Sequence, residues 1–423
     1  MLGKNLPPVN ESAITNAIAK LGTPLFVIYS DRFLENILQM QSAFCNRYSP
    51  TILAYSFKTN YVPYLCNLAR QLGAYAEVVS GLEYDLALRV GYSPDKVIYN
   101  GPVKERESLQ RALNSGSLVN VHSMYEIDAI MECAKEVETC EARVGIRVNT
   151  DLRRPDGSSP RPGSRAYSRF GFTVADGSLE AAVRELQKEP RIKVVGLHGH
   201  SSTTTRDTDT YARITDTLCG LGVDLIGDQL EFIDVGGGFY GKLPPELAFP
   251  GAPTLDDYAE TICKVMTQHF PNGGPDLIIE PGTAVCADCM TYFSRVLDVY
   301  SIDGRILVLV DGSAIQAKPT FHTKNLPINI LKQDKASRDA GIYSIVGFTC
   351  MENDFIARDV DGDIPMPGDV IAIDNCGAYT IVMSPQFISG RPPIVAIEQG
   401  KAILIRRRDT FDDVFGPYVF HND

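Results

Sequence analysis

Thr51-Ile-Leu-Ala-Tyr-Ser-Phe is an apolar run that ends in a titratable residue, Lys58. The same form recurs along the chain. Leu230-Glu-Phe-Ile-Asp-Val ends in Gly236-Gly237-Gly238, and Asp276-Leu-Ile-Ile ends in Glu280-Pro-Gly282. Further runs lie at 75–80, 97–100, 118–122, 142–149 and 193–200. All are rich in Val, Ile and Leu and nearly continuous, as strands covered on both faces must be. Amphipathic stretches of helical period separate most of them. One is Tyr64-Leu-Cys-Asn-Leu-Ala-Arg-Gln-Leu, with Leu65, Leu68 and Leu72 on one face, and another is Leu82–Val90. Eight such alternations predict an α/β fold built on a (β/α)8 barrel of the TIM type.

After Gly282 the texture changes. Arg305-Ile-Leu-Val-Leu-Val, Tyr343-Ser-Ile-Val and Val370-Ile-Ala-Ile follow one another with Gly, Pro and Asp turns and little helix, which predicts a barrel-like all-β domain. The early run Leu25-Phe-Val-Ile-Tyr would be a ninth parallel strand, so it is assigned to that domain. The expected division is therefore 31–282 for the barrel, with 1–30 and 283–423 forming a β domain from both chain ends. The Pro-, Ser- and Arg-rich segment 151–168 reads as a mobile loop.

The chain has 423 residues, too many for one ordinary core. Its 44% hydrophobic and 22% charged content is that of a soluble globular protein. Forty basic and 52 acidic residues give a net charge of −12, which argues against a nucleic-acid partner. No apolar run is long enough to span a membrane. The start, Met1-Leu-Gly-Lys-Asn-Leu-Pro-Pro, lacks an apolar signal core, so a cytoplasmic location is expected. Ten cysteines form no framework pattern, and Cys286-x-x-Cys289 has no second pair or nearby His to complete a metal site.

Barrel enzymes place their chemistry at the C-terminal strand ends and commonly bind phosphate after the seventh and eighth strands. Gly236, Gly237 and Gly238 fall there, where the lack of Cβ atoms lets backbone N–H groups approach an anion. A dinucleotide fingerprint is excluded, because Phe239-Tyr-Gly-Lys-Leu-Pro-Pro, which follows the glycines, does not open a helix. Lys58, at an inner strand end, suits a Schiff-base link to an aldehyde. Glu280 is a carboxylate that could keep a pyridine nitrogen protonated, which makes the ring an electron sink. His198 and His200, two apart at the end of the sixth run, are expected on one face of a strand. Taken alone the pair suits a metal, but no carboxylate stands nearby in sequence. No metal is expected, and His200 is better explained as a flat ring stacked on a cofactor. Ser201, Ser202 and Thr203 add hydroxyl donors for a phosphate.

Over nearly its whole length the chain resembles the fold type III pyridoxal-phosphate decarboxylases, the family of diaminopimelate, ornithine and arginine decarboxylases. Leu53-Ala-Tyr-Ser-Phe-Lys58-Thr-Asn resembles the cofactor-lysine motif, and Glu77-Val-Val-Ser-Gly-Leu-Glu resembles D-V-V-S-G-G-E. Gly196-Leu-His-Gly-His200-Ser resembles the segment whose second His stacks on the pyridine ring. Ile233-Asp-Val-Gly-Gly-Gly and Glu280-Pro-Gly282 resemble the phosphate loop and the carboxylate of the ring nitrogen. Gly347-Phe-Thr-Cys350-Met-Glu-Asn-Asp354 resembles G-P-x-C-E-S-x-D, and Asp374-Asn-Cys-Gly-Ala-Tyr379 resembles D-x-G-A-Y. The resemblance implies pyridoxal 5'-phosphate bound by Lys58, His200, Thr203, Gly236–Gly238, Glu280, Gly282 and Tyr379. It implies α-decarboxylation of a small amino-acid-type substrate, with Cys350 as candidate proton donor. It also implies a homodimer, because the Cys and Tyr motifs reach into the partner's active site.

The departures from the family pattern concern the substrate. Met351 stands where diaminopimelate decarboxylases carry the Glu that binds the distal amine, with Glu352 following. Thr283 replaces the Arg after E-P-G, and Lys318 replaces the substrate Arg. Lys318 could still hold the α-carboxylate, as that Arg does. His322, Lys324 and Arg169 add positive charge, so an anionic distal group is expected. Lys318-Pro-Thr-x-His322-x-x-Asn-Leu-Pro further resembles decarboxylases of carboxylate-type siderophore pathways, which act on citryl-type conjugates. Other readings are a diaminopimelate or other basic amino-acid decarboxylase, a racemase of the same fold, and an inactive ligand-binding homologue. Alanine racemases set Arg against the ring nitrogen, so Glu280 disfavours the second. Retention of Lys58, His200, Glu280, Cys350 and Tyr379 disfavours the third.

Overall fold

The computed structural model describes residues 11–136, 141–154, 156–165, 167–320, 322–334 and 336–421. By contacts the chain forms two compact units. One comprises 34–242 and 250–285, and the other 1–33, 243–249 and 286–423. No helix among the described residues is long and apolar enough to cross a membrane.

Strand β1, Leu25–Tyr29, belongs to the second of these units. The first unit is a closed parallel barrel of β2 (Thr51–Ser56), β3 (Tyr75–Val78), β4 (Val97–Tyr99), β5 (Leu118–Val121), β6 (Ala142–Arg147), β7 (Ile192–His198), β8 (Phe232–Asp234) and β9 (Asp276–Ile279). These strands coincide with the eight apolar runs, and helices such as Pro63–Gln71 and Gly81–Val90 follow them. Two helix starts show why the chain turns where it does. Ser80 caps 81–90 by accepting from the Glu83 N–H, and Thr254 and Asp257 form a reciprocal capping box on Leu255–His269.

The barrel interior is filled by side chains. Ala54, Ile98, Leu118, Val195, Phe232 and Ile278 form one buried cluster. Phe232 is accommodated because its neighbours on β6 and β7 are glycines. A Cβ on Gly196 would lie 2.4 Å from the Phe232 ring, and one on Gly145 would lie 2.6 Å from it. Large and small residues are thus matched across strands, which fills the space without strain.

The second unit is a β sheet. Strands β10 (Met290–Ile302), β11 (Arg305–Val310), β12 (Ile328–Leu331), β13 (Ala340–Val346), β14 (Phe355–Asp363), β15 (Val370–Ile373), β16 (Ile394–Glu398) and β17 (Lys401–Arg406) make it with β1. The order is β14-β13-β11-β10-β1-β16-β17, with β15 bridging β10 and β12. β1 pairs antiparallel with β10 and parallel with β16, so the early apolar run is a strand of this sheet and not of the barrel. The segment 151–168 contains one short 3-10 turn, Pro162–Ser164, and no strand among its described residues; 155 and 166 lie outside them.

Candidate active site

Register brings the chemistry together. β7 pairs with β8 so that His198 faces Asp234, and β8 pairs with β9 so that Asp234 faces Ile278. Two residues beyond Ile278 stands Glu280, whose N–H donates to the Gly236 carbonyl at 2.9 Å. One side-chain atom from each of His198, Asp234 and Glu280 lies within 4.8 Å of the others, and all three residues are buried. This corrects the expectation that the histidines have no carboxylate near them. The carboxylates arrive from two other strand ends, which linear spacing cannot show. β7 also stops at His198, so His200 lies in the loop beyond and its placement does not come from strand alternation.

Lys58 sits on the 3-10 turn Phe57–Thr59 directly after β2 and is ion-paired with Glu77 of β3. Glu77 is buried, accepting from Ser56 Oγ at 2.5 Å and Asn100 Nδ2 at 3.0 Å. The Asn100 amide also donates to Glu280 Oε1 at 2.5 Å, linking the lysine end of the site to the Glu280 end. Glu280 Oε2 lies 3.6 Å from His198 Nε2. Burial opposes the charge of Glu280, but His198, Lys58 and His200 outweigh it and hold the carboxyl well below the usual range.

His200 is pushed down to about 3, by burial first and then by Arg147 and Lys58, so its ring is neutral at physiological pH. Its Nδ1 accepts the Gly237 N–H at 3.2 Å, and its carbonyl accepts from Arg147 at 3.1 Å. A neutral imidazole held at Nδ1, on a backbone anchored by Arg147, can offer its face to a flat ring.

The glycine loop is shaped by close contacts. A Cβ on Gly236 would lie 2.7 Å from the His200 Cβ, and one on Gly237 would lie 2.0 Å from the Glu280 carbonyl. Gly236 and Gly238 also have positive φ, of 69° and 96°. The Gly236 N–H donates to Asp234 Oδ1 and the Gly237 N–H to His200, so these two donors order the loop. Gly238 makes no such bond among the described residues. Tyr211 closes the loop by donating to the Gly237 carbonyl at 3.0 Å. Thr203 is buried with Oγ1 accepting from the Arg206 N–H, and Ser201 Oγ accepts from the buried Arg161 at 3.1 Å. Gly282 is obligatory: a Cβ there would meet Thr59 Oγ1 at 2.1 Å. Thr283 opens the one-turn helix Thr283–Cys286.

The remaining expected residues lie in the β unit, except Arg169, which belongs to the barrel unit. Asp354 accepts from Ser313 Oγ at 2.9 Å, the Ala314 N–H at 2.8 Å and Thr349 Oγ1 at 2.6 Å. Gly347 leaves room for that carboxylate, since a Cβ would lie 2.3 Å from it. The Gly and Asp of the Cys350 motif are therefore architectural. They hold the loop carrying exposed Cys350, Met351 and exposed Glu352 against the short helix Ala314–Ala317 that precedes Lys318. Tyr379 is 38% exposed and has φ of +59°, a strained conformation for a tyrosine. Lys318 is 7% exposed, and burial and then Arg358 push its ammonium down. It has no acidic partner among the described residues. His322 and Arg169 are exposed, the latter with its guanidinium 4.0 Å from the Phe170 ring centre.

Sequence reasoning did not single out Glu77, Asn100, Arg147, Tyr211 or Asp234 as site residues. Asn100 closes an apolar run, which was a readable signal.

The family model "Pyridoxal-dependent decarboxylase, pyridoxal binding domain" matches residues 34–287. The chain belongs to this family. It is a pyridoxal-phosphate-dependent carboxy-lyase of fold type III. A diaminopimelate decarboxylase of Aquifex aeolicus is 28% identical over 94% of this chain and 91% of its own. The L-glutamyl-(acyl-carrier protein) decarboxylase of Niallia circulans is 30% identical over 96% of both chains. The crystal structure of the M. jannaschii diaminopimelate decarboxylase with L-lysine superposes with a TM-score of 0.86 at 26% identity, covering 99% of each chain. The site of this decarboxylase fits the cofactor on its own geometry. It combines an amine at Lys58, a buried anion at Glu280, a neutral ring at His200 and a glycine turn that any Cβ would fill.

Proposed function

We propose that the protein removes the α-carboxylate of an amino acid or amino-acid conjugate whose distal end is anionic. The observation that carries the reaction type is Glu280, a buried carboxylate kept ionised at the same strand ends as Lys58. Bound pyridoxal phosphate supplies the sink for the electrons left when CO2 departs. Lys58 provides the amine that tethers the cofactor aldehyde, and Glu77 steadies that amine. Glu280 would keep a proton on the ring nitrogen, and His200 would lie against the ring. The Gly238 N–H, the hydroxyls of Ser201, Ser202 and Thr203, and Tyr379 hold the phosphate, with Gly282 leaving space beside Thr59. Cys350 delivers the proton that replaces CO2. Alanine racemases of this fold set Arg against the ring nitrogen, so Glu280 favours decarboxylation over that reading.

Cys350 and Tyr379 belong to one compact unit and Lys58 to the other, which fits a homodimer in which each site takes residues from both chains. Mixing inactive Lys58→Ala with inactive Cys350→Ala protein after subunit exchange should restore activity, because some hybrid dimers carry one intact site. No rescue after demonstrated exchange would mean that each site is built within one chain.

The substrate class rests on Met351, which cannot pair with a distal ammonium, and on Lys318, a buried cation without an acidic partner among the described residues, which equally suits the α-carboxylate. A citryl-type amine conjugate of siderophore pathways is the leading candidate. The Niallia circulans relative, named for a carrier-bound glutamyl group, supports conjugates as a class. A CO2-release screen should show turnover of citryl or glutamyl conjugates above free diaminopimelate, lysine or ornithine. Lys318→Met should lower kcat/KM on the preferred substrate by the about 2–5 kcal/mol of an unpaired buried charge, and Lys318→Arg should recover much of it. His322→Ala with Arg169→Ala, at exposed positions, should cost about 1 kcal/mol or less. Efficient turnover of the free diamino acids with conjugates ignored would refute the anionic end and leave decarboxylation standing.

A further inference from the structure

Asp234 is a fully buried acid to which the reaction assigns no task. It closes β8 between His198 and Ile278 of the flanking strands. Its Oδ1 accepts the Gly236 N–H at 2.8 Å. No donor among the described residues reaches its enclosed Oδ2, and the group beside it is the Glu280 carboxylate. Glu280 is engaged elsewhere through Oε1 to Asn100 and through Oε2 facing His198. Carboxylate oxygens of Asp234 and Glu280 lie within 4.8 Å of each other away from water, where ionising both is strongly disfavoured, so one holds a proton. Burial and then Glu280 push the Asp234 carboxyl up, while Glu280 stays well below the usual range. The two directions agree on which partner holds it.

We infer that Asp234 is a neutral carboxylic acid that positions two parts of the cofactor site at once, accepting from the glycine loop through Oδ1 and donating to Glu280 through Oδ2–H. The acid-to-carboxylate bond is of the strong, charge-assisted kind. It leaves the pair with one negative charge and orients Glu280, while the other oxygen sets the first turn of Gly236–Gly238. Asp234 is thus a positioning residue. Its effect on the cofactor rests on the reading that Glu280 meets the ring nitrogen.

Asparagine has the same shape and offers the same acceptor and donor without an ionisable proton. Asp234→Asn should therefore bind pyridoxal phosphate within about threefold of wild type, whereas Asp234→Ala should bind it about tenfold or more weakly. Both affinities are read by absorbance titration of the cofactor-free protein. Infrared difference spectra at neutral pH should show a deuterium-sensitive carboxylic-acid C=O band in wild type that is missing from Asp234→Asn. A missing acid band in wild type, or an Asn variant as weak as the Ala variant, would overturn the inference in favour of an ionised Asp234 or a bound cation. A Glu280→Gln variant separates the two readings. If its bound cofactor keeps the wild-type spectrum while the acid band and the Asn–Ala contrast persist, the ring-nitrogen reading fails and the neutral acid stands.

Discussion

Lys58→Ala protein should lose the long-wavelength absorption of the covalently held cofactor, together with turnover. The reason is positional. Lys58 stands on the turn after β2, ion-paired with buried Glu77, which is hydrogen-bonded to the same Asn100 that contacts Glu280. An amine there is held within a built network, whereas Lys104, a deeply buried barrel lysine, is committed to Glu126 at 2.5 Å and to two carbonyls. Borohydride reduction followed by peptide mapping checks the assignment. The label should appear on Lys58 in wild type and nowhere in the variant. A reducible adduct on another lysine of the variant would show that the tether is elsewhere.

Glu280→Gln should lower turnover by about 10^2-fold or more, as loss of a preorganised charged group does. Glutamine keeps the volume and can still meet Asn100, but it cannot hold a proton on the ring nitrogen. The loss should appear in kcat more than in KM, because the charge matters most when electrons enter the ring. Steady-state kinetics on fully cofactor-loaded protein separates this effect from poor loading. Near-wild-type kcat would remove Glu280 from the mechanism.

The barrel was legible because its strands are apolar on both faces and a polar or glycine residue closes or follows each apolar run. Lys58, His200, Gly236–Gly238 and Glu280 stand just beyond such ends, so local pattern was enough to find them. Asp234 and His198 were harder. Their roles depend on the pairing of β7 with β8 and of β8 with β9, and register is a three-dimensional fact. The same pairing supplies the carboxylates that seemed absent beside the histidines. The glycine loop was found, but not the way Asp234 and His200 use two of its N–H groups. Charge alone grouped Arg169 of the barrel unit with Lys318 and His322 of the β unit. Burial separates them, since Lys318 is enclosed behind the helix Ala314–Ala317 while the other two are exposed.

The most direct test follows the two fates of the substrate α-carbon. An amino-acid conjugate carrying isotope in its α-carboxylate is incubated with cofactor-loaded enzyme in deuterated water. The expected result is one labelled CO2 released for each amine product, with one deuterium at the former α-carbon, and a rate that collapses in Glu280→Gln. Deuterium entering the α-carbon with the labelled carboxylate retained would contradict decarboxylation and point to racemisation at this site.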